Sequence, residues 1–105
     1  MDKLDAIFSP SSVAVVGAST TPGKVGHDIF ANILRGNYQG VLYPVNPGAR
    51  SVLSVPAYPS IKAVPDDVDL AMIILPPKRA LNAIEESIEK GVKGVVIVSA
   101  GFREV

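Results

Sequence analysis

The sequence predicts an α/β domain built around a parallel β-sheet with flanking helices. Three observations lead there. Four short runs rich in Val and Ile have the length and β-branched content of strands: Val13 to Val16, Val41 to Val45, Leu70 to Leu75 and Val95 to Val98. Helical apolar periodicity occupies the gaps between the first and second runs and between the third and fourth. Gly or Pro punctuates most junctions. Strands that alternate with helices favour a parallel sheet joined by crossovers.

Met1 to Ser12 reads as a short helical or irregular lead ending in Ser9-Pro10-Ser11-Ser12. Val13-Ala14-Val15-Val16 is a continuous apolar run, as in a strand buried on both faces, and the third and fourth runs read the same way. Gly17 stops the first run, and Ala18 to Gly26 is turn-rich around Thr21-Pro22-Gly23. Val25, Ile29, Phe30, Ile33 and Leu34 fall on one helical stripe, closed by Arg35 and Gly36. In the second run Pro44 removes a ladder donor, which predicts an edge position or an irregular strand end. Residues 46–68 hold four of the nine prolines; a short strand around Ser51 to Val55 and one helical turn near Ser60 to Ala63 are expected there. Pro76-Pro77 stops the third run, and Ala80, Leu81, Ile84 and Ile88 mark a second helical stripe ending at Lys90-Gly91. Ser99 to Val105 reads as a strand-to-helix turn without its helix. Residues 1–105 are therefore expected to be one domain at the N-terminal end of a longer chain.

Composition excludes several classes. Hydrophobic residues at 48% against charged residues at 19% exclude a disordered chain. Ten basic side chains balance ten acidic ones, so no bulk field draws the protein to nucleic acid or anionic lipid. No apolar stretch approaches the ~20 residues of a membrane span, and Met1-Asp2-Lys3-Leu4-Asp5 lacks a signal peptide's basic start. A soluble, cytoplasmic domain is expected. With no cysteine, disulfides, thiolate nucleophiles and cysteine-ligated zinc are excluded.

Chemistry in an open parallel sheet sits beyond the carboxyl ends of the strands, near the switch in strand order. Those ends carry Gly17 to Gly26, Val45 to Gly48, Leu75-Pro76-Pro77 and Ser99 to Phe102. Gly17 permits a sharp turn and close ligand approach, the following helix aims free N–H groups at the loop, and Lys24 adds a charge. Phosphate or nucleotide binding is preferred over a mere glycine turn. A magnesium-binding Walker loop does not fit, because five residues separate Gly17 from Gly23-Lys24 and Val25 follows. The dinucleotide fingerprint fits poorly: Gly17, Gly23 and Gly26 are widely spread, and Asn46 stands where an acid would bind the ribose. His27, off the apolar stripe, reads as a solvated surface histidine rather than a catalytic one. Asp66, Asp67 and Asp69 read as an acidic turn before a buried strand, and no metal site is expected. Glu85, Glu86 and Glu89 read as a solvated helix face with a Glu86–Lys90 pair. Pro76-Pro77 either merely stops a strand or holds a rigid edge for an adenine or a pantetheine arm.

The first loop, Val45-Asn46-Pro47, Tyr58-Pro59-Ser60-Ile61, Val68-Asp69-Leu70-Ala71, Pro76-Pro77, and Gly91 to Gly94 through Ser99 to Glu104 appear in that order. Together they resemble the CoA-binding domain of nucleoside-diphosphate-forming acyl-CoA synthetases, which include succinyl-CoA synthetase and ADP-forming acetyl-CoA synthetase. The resemblance runs from about Leu4 to the end. It implies a Rossmann-like domain whose strand ends hold CoA or acyl-CoA, with Gly17, Ala18, Ser19, Lys24 and Gly26 near the phosphates. It also implies that Val45, Asn46, Pro47, Leu75, Pro76, Pro77, Ser99, Ala100 and Gly101 lie along the nucleotide and pantetheine. No catalytic residue is implied within this chain. The phosphohistidine and the ATP- or GTP-binding ATP-grasp part would belong to further domains or a second subunit. Two positions depart from the family pattern. Ser54 replaces a usual glycine, and Gly48-Ala49 replace a common basic residue, which leaves Arg50 or Lys24 to hold the CoA 3′-phosphate. The alternatives are a CoA-binding regulatory domain of a protein acetyltransferase and an NAD(H)-binding oxidoreductase or redox-sensing domain.

Overall fold

The computed structural model describes residues 3–98. In chain order the elements are α1 (Lys3–Phe8), β1 (Ser12–Val16), α2 (Val25–Arg35), β2 (Val41–Val45), β3 (Ser51–Val52) and β4 (Val55–Pro56). A 3₁₀ turn (Ile61–Ala63), β5 (Leu70–Ile73), α3 (Pro77–Lys90) and β6 (Gly94–Ile97) follow. Four strands form one sheet in the order β2-β1-β5-β6, every pair parallel. The α/β, Rossmann-like class is therefore the observed one. Pro44 lies in β2, which is an edge strand, as its missing donor requires.

Side chains alternate across β1 and divide the core in two. Val13 and Val15 pack with Phe30 of α2 and Val52 of the β3–β4 hairpin; Ala14 and Val16 pack on the other face with Ile61, Ala80 and Ala83. Both helices lie rotated from the stripes expected of them. On α2 the buried residues are Gly26, His27, Phe30 and Ala31, while Val25 and Leu34 are exposed. His27 is thus 8% exposed, not a solvated histidine. On α3 the buried residues are Ala80, Ala83 and Ser87, whereas Leu81 is 59% and Ile88 69% exposed. Small side chains set the helix close on the sheet, and that approach outweighs the larger apolar residues. The fourth strand also differs from expectation: β6 is only half-buried, with Ile97 49% exposed, because it is an edge.

Hydrogen bonds close the amino-terminal edge of the sheet. The Ser11 N–H donates to Asp69 Oδ2 at 2.8 Å, the Asp69 N–H to Ser12 Oγ at 2.9 Å, and Ser12 Oγ to the Asp67 carbonyl at 3.1 Å. Lys93 Nζ reaches Asp69 Oδ1 at 3.3 Å, and Tyr38 donates to the Pro10 carbonyl at 2.7 Å. Asp66 accepts from Tyr43 at 2.8 Å. The acidic turn is thus spent on structure. On α3, Lys90 donates to the Val64 carbonyl at 2.6 Å instead of pairing with Glu86, and Glu89 pairs with Lys62 at 2.8 Å.

Leu53 and Ser54, the turn between β3 and β4, have φ of 49° and 69°, the left-handed pair of a two-residue hairpin. Replacing Ser54 by Gly removes that strain and should raise stability by roughly 1 kcal/mol in denaturant titration. Burial, reinforced by the hydrogen bond to Asp66, pushes the Tyr43 phenol up from 10.0 to about 12. The protonated phenol is held more tightly folded than unfolded, so its contribution is complete below pH 10 and fades as pH rises toward 12. Tyr43→Phe should flatten the loss of stability across that window, measured by melting at successive pH values.

Candidate functional site

The chain leaves β1 for β2 through α2 on one face, then crosses to β5 on the opposite side of β1, where α3 covers the other face. The crevice at the carboxyl ends of β1 and β5 is therefore the switch point of the sheet. Two adjoining hollows open there, of about 480 and about 430 Å3. They share one wall: Gly17, Ser19, Lys24, Ile74, Leu75 and Pro76.

The wall depends on missing side chains. Gly17 has φ of 101° and faces the carbonyl of Ile74, with which any Cβ would collide. A Cβ at Gly26 would collide with the Gly17 carbonyl, so α2 starts in direct contact with the turn after β1. Lys24 is the N-cap of α2 and offers no side-chain cap. The first-turn N–H groups of the helix are left to whatever enters the crevice. The loop is shaped internally: Ser19 Oγ accepts from the Thr21 N–H at 3.0 Å, and Asp28 Oδ1 from the Gly23 N–H at 3.3 Å.

Asn46 joins the loops after β1 and β2. Its Nδ2 donates to the Ala18 carbonyl at 2.8 Å, its Oδ1 accepts from the Gly48 N–H at 2.8 Å, and its backbone N–H donates to the Tyr58 carbonyl at 2.9 Å. Both ends of the carboxamide are thus committed to protein. An Asp at this position has no donor for the Ala18 carbonyl, so the amide is required for loop shape.

Of the residues singled out in the sequence, Gly17, Ala18, Ser19, Lys24, Val45, Asn46, Pro47, Leu75 and Pro76 line the larger hollow. Gly26 and Pro77 line the smaller, more apolar one beside Val25 and Val98. Ser99, Ala100 and Gly101 lie outside the described residues. Arg50, one of two expected phosphate partners, is exposed and lines neither hollow. The third expected strand, β5, already ends at Ile73, before the two prolines: Pro76 is the N-cap of α3, Pro77 its first residue, and both edge the cleft. Sequence reasoning missed the far wall. Ser60 and Ile61 come from the 3₁₀ turn, and Arg79, Asn82, Ala83 and Glu86 from α3. Their spacing of three, one and three was a legible helical face, hidden by the stronger pull of Leu81 and Ile88.

Residues 11–104 match the family model described as a CoA binding domain. The chain is 48% identical over 98 residues to the ADP-forming acetate–CoA ligase II of Archaeoglobus fulgidus, covering 93% of this chain and 15% of that protein. It is 48% identical over 102 residues to the alpha subunit of ADP-forming acetate–CoA ligase II of Pyrococcus furiosus, covering 96% of this chain and 22% of the subunit. Among solved structures it is similar to the dinucleotide-forming acetyl-coenzyme A synthetase 1 of Candidatus Korarchaeum cryptofilum in complex with phosphate and ADP. The TM-score is 0.90 and the identity 40%, over 97% of this chain and 22% of that one. The chain thus spans less than a quarter of the length of each of these relatives.

Two glycine substitutions separate crowding from backbone strain. Gly17→Ala forces a Cβ into the Ile74 carbonyl at a positive φ and should cost more than about 2 kcal/mol of stability. At Gly23, φ is 94° but nothing stands within 4 Å of an added Cβ, so Gly23→Ala should cost only about 1 kcal/mol. Denaturant titration of the two variants checks the ordering.

Proposed function

The chain belongs to the CoA binding domain family, and on that premise we propose that its strand-end cleft holds CoA or acyl-CoA within an ADP-forming acyl-CoA synthetase. The observation that carries the proposal is the glycine-backed wall shared by both hollows, where the uncapped start of α2 and Lys24 come together. This wall suits the pyrophosphate, which needs backbone donors and positive charge at close range. The larger hollow, edged by Asn46 and Pro47, suits the adenosine end. The smaller, apolar hollow, edged by Pro77 and Val98, suits the pantetheine arm.

On this reading Gly17, Ala18, Ser19, Lys24 and Gly26 hold phosphates, and Val45, Asn46, Pro47, Leu75, Pro76, Pro77, Ser99, Ala100 and Gly101 flank the rest of the ligand. The chain binds and orients CoA; its residues carry no step of acid activation. The parent enzyme would join a carboxylic acid to CoA at the expense of ATP or GTP. Acyl phosphate formation, the phosphohistidine and the ATP-grasp part belong to further domains or a second subunit. A cytoplasmic setting is part of the proposal. Among the described residues no helix is long and apolar enough to cross a membrane.

An NAD(H) site is less suited to this cleft, since the position that would read the ribose is an amide whose two polar ends already bond to protein. Calorimetric titration with CoA and with NADH tests the choice. CoA should bind and NADH far more weakly. Lys24→Ala, which removes one charge-assisted contact, should weaken CoA binding about tenfold to a hundredfold. NADH binding more tightly than CoA, with Lys24→Ala affecting neither, would overturn the proposal in favour of a redox domain.

A further inference from the structure

CoA differs from dephospho-CoA by one phosphomonoester on the adenosine ribose, a group that carries close to two negative charges near neutral pH. On the reading that the cleft binds CoA, we propose that Arg79 recognises this phosphate and so sets the preference for CoA over dephospho-CoA.

Four observations converge on Arg79. It lines the larger hollow, the one edged by Asn46 and Pro47, and not the smaller one. Lys24, the other cation of the cleft, stands on the wall common to both hollows, the place that the proposed reading gives to the central phosphates. Among the described residues Arg79 makes no ion pair; those present join His27 to Asp28, Lys62 to Glu89 and Lys93 to Asp69. Arg79 also lies in the first turn of α3, beside Lys78 and with no acid there. A cation at a helix N-terminus opposes the helix dipole, so helix stability does not account for it.

The same helix face limits where the anion can sit. Glu86, two turns along, lines the same hollow and repels phosphate from its own end. Arg79 and the free N–H groups at the start of α3 draw the phosphate to the opposite end. The planar guanidinium can donate two parallel hydrogen bonds to one phosphate, which a lysine cannot reproduce.

Calorimetry on the 105-residue chain with CoA and dephospho-CoA, for wild type, Arg79→Ala, Arg79→Lys and Lys24→Ala, tests the assignment. Arg79→Ala should weaken CoA binding about tenfold to a hundredfold and leave dephospho-CoA unchanged, so the two ligands converge. Arg79→Lys should fall between wild type and Arg79→Ala, and Lys24→Ala should weaken both ligands together. Melting should show Arg79→Ala at or above the wild-type temperature, because a charge opposing the dipole is gone. Equal loss of both ligands in Arg79→Ala, or no loss of either, would overturn the role of Arg79. Wild type binding both ligands equally would overturn it while leaving the CoA reading intact. Wild type binding neither would overturn both.

Discussion

Two carbonyl oxygens occupy the space where side chains would otherwise stand. The Ile74 carbonyl fills the Cβ position of Gly17, and the Gly17 carbonyl fills that of Gly26. Everything at the carboxyl end of the sheet depends on this stacking of backbone on backbone. It lets the chain turn out of β1 at a positive φ, brings the start of α2 against that turn, and sets the end of β5 beside both. A larger residue at Gly26 would push α2 away from the turn after β1, and one at Gly17 would push that turn away from the end of β5; either opens the shared wall of the cleft.

The two ends of the sheet are built on opposite principles. At the amino-terminal edge, Ser11, Ser12, Asp69 and Lys93 join β1, β5 and the approach to β6, and Tyr38 holds the segment before β1. Polar groups there satisfy one another. At the carboxyl edge the Asn46 side chain bonds to Ala18 and Gly48, and these bonds shape the loop rather than close the crevice. A closed edge fixes the register of the parallel strands, and an open one with fixed loops leaves donors available to a ligand.

The four strands of the parallel sheet were legible in order because β-branched runs bounded by Gly and Pro have few other readings, but the single strand expected around Ser51 to Val55 is instead the β3–β4 hairpin, turned at Leu53-Ser54. Pro44 pointed to an edge position or an irregular strand end, and β2 is an edge. The helices were legible in extent and not in orientation. Of the expected stripes Phe30 and Ala80 are buried, but Val25, Leu34, Leu81 and Ile88 stay exposed, while the small residues Gly26, Ala31 and Ala83 beside those stripes are buried. Close approach is a tertiary condition that no local period encodes. For the same reason Arg79 and Glu86 were not seen as cleft residues: once α3 was assumed to present Leu81 and Ile88 to the core, its polar face was assigned to solvent. Asn46 was placed correctly at the end of β2, while its partners at Ala18 and Gly48 depend on a loop geometry visible only in three dimensions.

Neutral overall, the protein is not neutral locally. Neither long helix has a side-chain N-cap, which forgoes about 1 kcal/mol at each; Lys24 at the N-cap of α2, and Lys78 and Arg79 in the first turn of α3, stand where the dipole disfavours cations. The short 3₁₀ turn, by contrast, is capped: Ser60 Oγ accepts from the Ala63 N–H at 3.2 Å. Both long helices begin at the cleft. An anion seated there would occupy the place of the missing caps and meet the cations that the isolated helices tolerate at a cost. The same free energy that the empty protein forgoes at two helix ends is then recovered on binding, so the domain should be more stable with its ligand than without it.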